Sequence, residues 1–196
     1  VGTVIVLDER LAAAAQLVRP GSRVADVGTD HGYLIARLLL DGKAVFGYAC
    51  DIHPKPLEKA AETLKQYGLQ DCSALFLGDG LQGLLAEQVD DVVIAGMGGI
   101  LMTRILGKDL EKTKSFSKLI LQPRSGQGVL RHWLLQNGFV IEKESLVREG
   151  KYICEVINAA PEGTRDRAPV SRKLEGCGPE DIEYEVPPWI SMAGPL

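Results

Sequence analysis

The sequence predicts an α/β fold: a doubly wound, mostly parallel, seven-stranded Rossmann-like sheet closed by a C-terminal antiparallel hairpin. Three observations carry that expectation. Short apolar strands alternate with helical segments, glycines cluster just after the strands, and the last two strands lie too close together for a parallel crossover. With 196 residues, 45% hydrophobic and 24% charged, the chain can bury one substantial core but is short for two full domains. The expected organisation is a core over residues 1–160, followed by an irregular appendage over 161–196.

Leu7 to Val18 reads as an alanine-rich helix stopped by Pro20-Gly21, and Arg23 to Val27 is the first strand. Past Gly28 and Gly32, the uninterrupted apolar run Tyr33 to Leu40 is a buried helix. Ala44 to Cys50 is a second strand ending at Asp51, Pro56 to Tyr67 has helical periodicity, and Gly68 stops it. Ser73 to Leu77 is a third strand before Gly78-Asp79-Gly80, and Asp91 to Ala95 a fourth. That strand runs into Gly96-Met97-Gly98-Gly99 and a helix from about Ile100 to Leu106. Lys118 to Gln122 is a fifth strand, and Val129 to Asn137 a helix stopped by Gly138. Phe139 to Val147 and Tyr152 to Asn158 are separated only by Arg148-Glu149-Gly150-Lys151, which requires an antiparallel hairpin. From Ala160 onward the chain is rich in Pro, Gly and charge, and only Ile182 to Val186 reads as extended.

A formal charge of -4 argues against a generally basic nucleic-acid-binding protein. Local charge differs: between Leu101 and Arg131 seven cations (Arg104, Lys108, Lys112, Lys114, Lys118, Arg124, Arg131) face two acids, Asp109 and Glu111. This stretch is either a solvated helix face or a contact for a polyanion. Cys50, Cys72, Cys154 and Cys177 are scattered, and neither they nor His31, His53 and His132 have metal-ligand spacing, so no disulfide framework and no metal site are expected. No leader pattern and no apolar run near 18 residues stands in the sequence, so the expectation is a cytoplasmic chain outside the membrane.

Ligands of doubly wound sheets bind beyond the carboxyl ends of the strands. In Asp26-Val27-Gly28-Thr29-Asp30-His31-Gly32 the glycines allow a sharp turn and close approach, and the next helix directs free N–H groups at a ligand. Asp30 stands where a dinucleotide site wants glycine, and its carboxylate would repel a pyrophosphate. An aminoacyl sulfonium carries no phosphate and has cationic groups, which suits Asp26 and Asp30: the charge selects S-adenosylmethionine as cofactor. Asp51, about 20 residues past the glycine loop, can accept ribose hydroxyls, and Asp79 an adenine amino group. Singly, each acid is more often a cap or turn residue; three at successive strand ends make a site. Ala95-Gly96-Met97-Gly98-Gly99 leaves bare backbone where a flat acceptor and the methyl group would meet. Gln122 either bonds a base edge or caps its strand, His31 is either a helix-start residue bonded to backbone or catalytic, and Trp133 reads as core.

Taken together, Asp26-Val-Gly-Thr-Asp-His-Gly-Tyr-Leu34, Gly78-Asp-Gly-Leu81, Ile94-Ala-Gly-Met-Gly-Gly99 and Leu121-Gln-Pro123 resemble the bacterial tRNA adenine-N1 methyltransferases of the TrmK type, over roughly Leu7 to Ala159. The resemblance implies a Rossmann-like methyltransferase sheet, S-adenosylmethionine as cofactor and the adenosine at nucleotide 22 of tRNA as acceptor. It implies a cofactor site of Asp26, Gly28, Thr29, Asp30, Gly32, Tyr33, Asp51, Ile52, Asp79, Gly80, Ala95, Gly96, Met97 and Gly98. Gly99, Arg104, Gln122 and Arg124 are the candidate substrate contacts, and Asp30 and His31 the candidate catalytic pair. Two departures stand out: Arg124 replaces the family's usual asparagine after Gln-Pro, and the expectation is that the family's helical C-terminal domain is largely absent from these 196 residues.

Adenine N1 needs no deprotonation before it attacks, so alignment is the main task, and the base must be unpaired or flipped from its stack. The positive charge left on the ring would be stabilised by a carboxylate, for which Asp30 is the candidate, with His31 orienting. Competing expectations are a small-molecule methyltransferase, a nicotinamide dehydrogenase and a non-catalytic RNA-binding module. Salt-insensitive activity on nucleosides would mark the first; Asp30 and the terminal hairpin disfavour the second; cofactor-independent RNA binding would mark the third.

Overall fold

A computed structural model describes residues 4–163 and 177–186. In chain order the elements are α1 (Glu9–Leu17), β1 (Ser22–Val27), α2 (Tyr33–Leu40), β2 (Ala44–Asp51), α3 (Pro54–Gln66), β3 (Ser73–Leu77), β4 (Asp91–Met97), α4 (Gly99–Gly107), α5 (Leu110–Ser115), β5 (Lys118–Pro123), α6 (Gln127–Gln136), β6 (Phe139–Glu149), β7 (Tyr152–Pro161) and α7 (Ile182–Glu185). The strands form one seven-stranded sheet in the order β3-β2-β1-β4-β5-β7-β6. The first five are parallel, and β7 enters antiparallel between β5 and β6.

The two-residue side-chain period of a strand explains why both faces must be covered. On β1, β4 and β5, Ala25, Val27, Val92, Ile94, Leu119 and Leu121 enter one core with Met102, Leu106, Leu130 and Leu134 from α4 and α6. Their alternates Val24, Val93 and Ile120 enter the other, with Ala14, Leu34, Leu38 and Leu64 from α1, α2 and α3. At the amino ends of the central strands, Asp91 is fully buried and accepts from the Arg19 backbone N–H at 2.8 Å and from Arg19 Nε at 2.7 Å. Asp90 accepts from Arg23 Nε at 2.9 Å, and this partner holds its carboxyl below the usual range. These pairs fix the start of β4 beside β1, and hence where both strands end.

Three expectations from the sequence change, and one helix is added to them. The helix α5 was not legible as one, since L-E-K-T-K-S has no apolar stripe; Asp109 caps it, accepting from the Lys112 N–H at 3.0 Å. The hairpin strands run further than expected, leaving Gly150-Lys151 between them, with Gly150 at φ 60. Residues 182–185 are a helical turn rather than an extended piece, and Tyr184 is buried in the core shared by α4 and α6. Finally, two cations of the basic stretch point inward. Arg131 is 1% exposed, bonded to Glu144 at 2.7 Å and paired with Glu155, while Lys118 is buried and donates to the Leu17 carbonyl. Of the expected appendage over 161–196, residues 164–176 and 187–196 lie outside the described residues.

Candidate active site

The crossovers from β1 to β2 and from β1's other neighbour β4 diverge, so a crevice opens at the carboxyl ends of β1 and β4. The register brings Val27 beside both Cys50 and Ile94, and Asp51 beside Leu77. The acids placed at the ends of three successive strands therefore line one edge of the sheet, in space as in sequence.

The loop after β1 hangs on β2: the N–H groups of Gly28 and Thr29 both donate to the Cys50 carbonyl, at 2.8 and 3.0 Å. Gly28 and Gly32 adopt φ of 84 and 67, which L side chains resist, and Gly32 caps α2. The Thr29 hydroxyl accepts the Gly32 N–H at 3.2 Å, closing the loop on itself. Met97 packs directly on Gly28, where a Cβ would meet its terminal methyl, so the β1 and β4 loops press together across the crevice.

Asp26 is 7% exposed, and burial pushes its carboxyl up to about 6, with the nearby Asp51 charge adding to the rise and the Thr29 hydroxyl opposing it. No cation forms an ion pair with it among the described residues. A buried carboxyl in this state is a ready receiver for a cationic group.

Asp51 and Asp79 are both partly engaged. Asp51 Oδ1 accepts the N–H of His53, the residue before α3, at 2.7 Å, with His53 Nδ1 at 3.2 Å. Asp79 pairs with Lys108, the residue that ends α4, at the surface. Gly80 has φ 64, and a Cβ there would lie 2.8 Å from Ile105, which brings the β3 loop against α4. Ile52 and Tyr33 are exposed beside them.

Asp30 stands at the rim, its side chain 72% exposed. Its carboxylate lies 3.2 Å from His31 Nε2 and 3.4 Å from Lys59 Nζ, and the His31 ring stacks on Tyr33 at 5.1 Å. His31 is thus held by side chains of this cluster. Lys59, from α3, is a member that sequence reading missed, because it sits in a helix whose charges read as solvated.

Gly96 is the extra residue of a β-bulge: Ala95 pairs with Gln122 and Met97 with Pro123, with Gly96 at φ 78 between them. Its N–H, displaced from the ladder, donates to Gln122 Oε1 at 3.1 Å. Gly98 follows against Ser125, and the Gly99 N–H donates to the Ser125 carbonyl at 2.7 Å. Gly99 and Gln122, expected to touch substrate, are buried and bonded within the protein; Arg104 and Arg124 are exposed. Trp133 stacks on Phe139 at 5.9 Å as part of the core. Cys50, Cys72 and Cys154 form no disulfide; burial pushes the Cys50 thiol up, with Asp26 and Asp51 adding to the rise.

A sheet of this order, with a buried acid near the end of β1 and a glycine turn following it, defines the class: residues 7–157 match the family model described as a methyltransferase domain, and the chain is a member of that class. The chain is 33% identical over 162 residues to the tRNA (adenine(22)-N(1))-methyltransferase of Bacillus subtilis, covering 83% of this chain and 68% of the relative. It belongs to that family. The crystal structure of the B. subtilis m1A22 tRNA methyltransferase TrmK superposes with a TM-score of 0.84 at 27% identity, over 98% of this chain and 80% of that one. TrmK of M. capricolum, solved with the cofactor product S-adenosyl-homocysteine, gives 0.76 at 28% identity, over 91% and 74%. No helix among the described residues is long and apolar enough to cross a membrane, and none of their His, Cys, Asp and Glu side chains gather in threes that could hold a metal ion.

Proposed function

We propose that this chain transfers the methyl group of S-adenosylmethionine to N1 of an adenine in tRNA, at the position equivalent to nucleotide 22, and that it does so in the cytoplasm. The observation that carries the reading is the convergence of Asp26, Asp51 and Asp79 with the Gly28, Gly32 and Gly96 turns along one sheet edge. Asp26 fits the cofactor: it is a buried carboxyl without an ion pair among the described residues, at about 6, and a bound ammonium would draw it into its ionised form. Asp51 offers a carboxylate to ribose hydroxyls and Asp79 one to an adenine amino group.

S-adenosylmethionine supplies an electrophilic methyl on a sulfonium; the chain supplies alignment. The turn at Gly96 carries no side chain of its own and is flanked by the Arg10 and Arg124 guanidinium groups, beside which a flat base would sit against β4. The adenine N1 lone pair forms the new N–C bond as the C–S bond breaks, and positive charge moves onto the ring. Asp30 is the group offered to that charge. Lys59 holds part of its field, so Asp30 acts on the ring when the Lys59 ammonium turns to the RNA backbone. Exposed Arg104 and Arg124 are the cations offered to phosphate.

The test is transfer of labelled methyl from S-adenosylmethionine to unmodified bulk tRNA, with the product nucleoside identified by mass. N1-methyladenosine is the expected product, formed at a rate that falls steeply with salt. Cofactor binding without any transfer to tRNA, or salt-insensitive methylation of free nucleosides, overturns the assignment of the acceptor.

A further inference from the structure

The displaced Gly96 N–H is held by a side chain rather than by the ladder, and that side chain is itself held. Gln122 is 1% exposed. Its Oε1 accepts two donors, the Gly96 N–H at 3.1 Å and Arg10 Nη1 at 3.0 Å, while its Nε2 donates to the Pro123 carbonyl at 3.0 Å. A guanidinium only donates, so Arg10 admits one orientation of that amide: oxygen toward Arg10 and Gly96. The Arg10 guanidinium is fixed by two carboxylates, Nε to Glu149 Oε1 at 3.2 Å and Nη2 to Asp8 Oδ2 at 3.0 Å, with its side chain only 16% exposed. It also lies against Gly96 itself, 3.1 Å from where a Cβ would stand. One side chain near the start of α1 therefore ties α1, β5 and β6 around the bulge of β4.

We propose that Arg10 is a positioning residue for methyl transfer: it anchors the Gln122 amide, which holds the Gly96 bulge in the shape that seats the acceptor base. This rests on the assignment of an acceptor site against β4, made above. Without Arg10, the Gln122 amide keeps its orientation from the Gly96 N–H and the Pro123 carbonyl but loses the charged donor that anchors its oxygen to α1 and β6, so its hold on the Gly96 N–H loosens. The bulge would then relax, and the base with it. Misplacement of a reacting group by about 1 Å costs about a hundredfold in rate. Cofactor affinity, which draws mainly on the acids at the ends of β1, β2 and β3 and only in part on the Gly96 turn, is expected to fall much less than turnover.

The test uses the 196-residue chain as Arg10→Ala, Arg10→Lys, Gln122→Ala and the double variant Arg10→Ala/Gln122→Ala. Turnover on tRNA is expected to fall about tenfold to a hundredfold in Arg10→Ala, with a much smaller loss of affinity for S-adenosylmethionine by calorimetry. The double variant is expected to be no slower than Gln122→Ala, as for residues acting through one another. Arg10→Lys keeps the charge beside Glu149 and Asp8 without the fork; it guards against a folding defect and is expected to lose turnover without losing its melting temperature. Amide exchange of Gly96, read by NMR without substrate, is expected to quicken in Arg10→Ala and Gln122→Ala alike. Unchanged Gly96 exchange in Arg10→Ala, or losses that multiply in the double variant, overturns the proposal. Wild-type protein that leaves tRNA unmethylated overturns the functional assignment instead, and Gly96 exchange then still decides whether Arg10 holds the bulge.

Discussion

A single buried carboxyl sets a pH dependence that can be worked out from its surroundings. The Asp26 carboxyl stands at about 6 against an ordinary 3.8, because burial disfavours its ionised form. The folded state therefore loses stability as pH rises from about 4 through about 6, a penalty of about 3 kcal/mol that is complete above that. A cation seated beside Asp26 offsets the penalty, so cofactor affinity should have the opposite trend. Binding of S-adenosylmethionine is expected to tighten about fivefold between about pH 5 and 6, to level off by about pH 7, and to release up to one proton below about pH 6. Calorimetry in buffers of different ionisation enthalpy reads both quantities, and Asp26→Asn should flatten the profile. A flat profile in the wild type would remove Asp26 from the ammonium site. The acid itself was legible in the sequence from its place before a glycine turn. Lys59 and Arg10 were not, because a charge on a helix looks solvated until the fold shows what it faces.

At the scale of elements, glycine clusters after strands proved informative about position but ambiguous about purpose. Gly99, read as a substrate contact, opens α4 where it meets the loop leading into α6, and a Cβ there would run into the Gly126 carbonyl oxygen. Backbone on both sides leaves nothing flexible to yield. Gly99→Ala is expected to lower stability by about 1–3 kcal/mol through overpacking, read as a fall in melting temperature, whereas Gly98→Ala should not, since its Cβ would meet only the Ser125 hydroxyl at 3.5 Å. Equal melting temperatures would show that the two loops can part. The strands were readable because their apolar runs are long and bounded; α5 and α7 were not, because four to six residues carry no period. The alternation I-E-Y-E-V mimics a strand. What makes it a helical turn is remote: Tyr184 enters the core, and Arg131 Nη1 donates to the carbonyls of Tyr184 and Glu185 at 2.7 and 3.2 Å. Those are helix-end carbonyls that the chain alone leaves without donors.

Over the whole molecule the formal charge is -4, so tRNA must be held by local fields rather than by net charge. The basic stretch between residues 101 and 131 supplies cations of two kinds that sequence could not separate. Arg104 and Arg124 are exposed and free to release counterions from RNA. Arg131 is buried between Glu144 and Glu155; burial raises the Glu144 carboxyl while the Arg131 charge opposes that rise. Replacing Arg104 or Arg124 by alanine is expected to weaken tRNA binding and to reduce the slope of log affinity against log salt by about 1 each, with the melting temperature unchanged. Replacing Arg131 by methionine should do the reverse. It leaves two carboxylates facing one another in a dry interior and strips the donor from the Tyr184 and Glu185 carbonyls, a loss of about 3–5 kcal/mol. Filter binding of tRNA across a salt series, set beside thermal unfolding of the same three variants, separates the two roles. A salt slope unmoved by Arg104→Ala and Arg124→Ala would place the RNA on another face of the molecule. A melting temperature unmoved by Arg131→Met would mean that the residues around Tyr184 contribute nothing to holding α6 against β6.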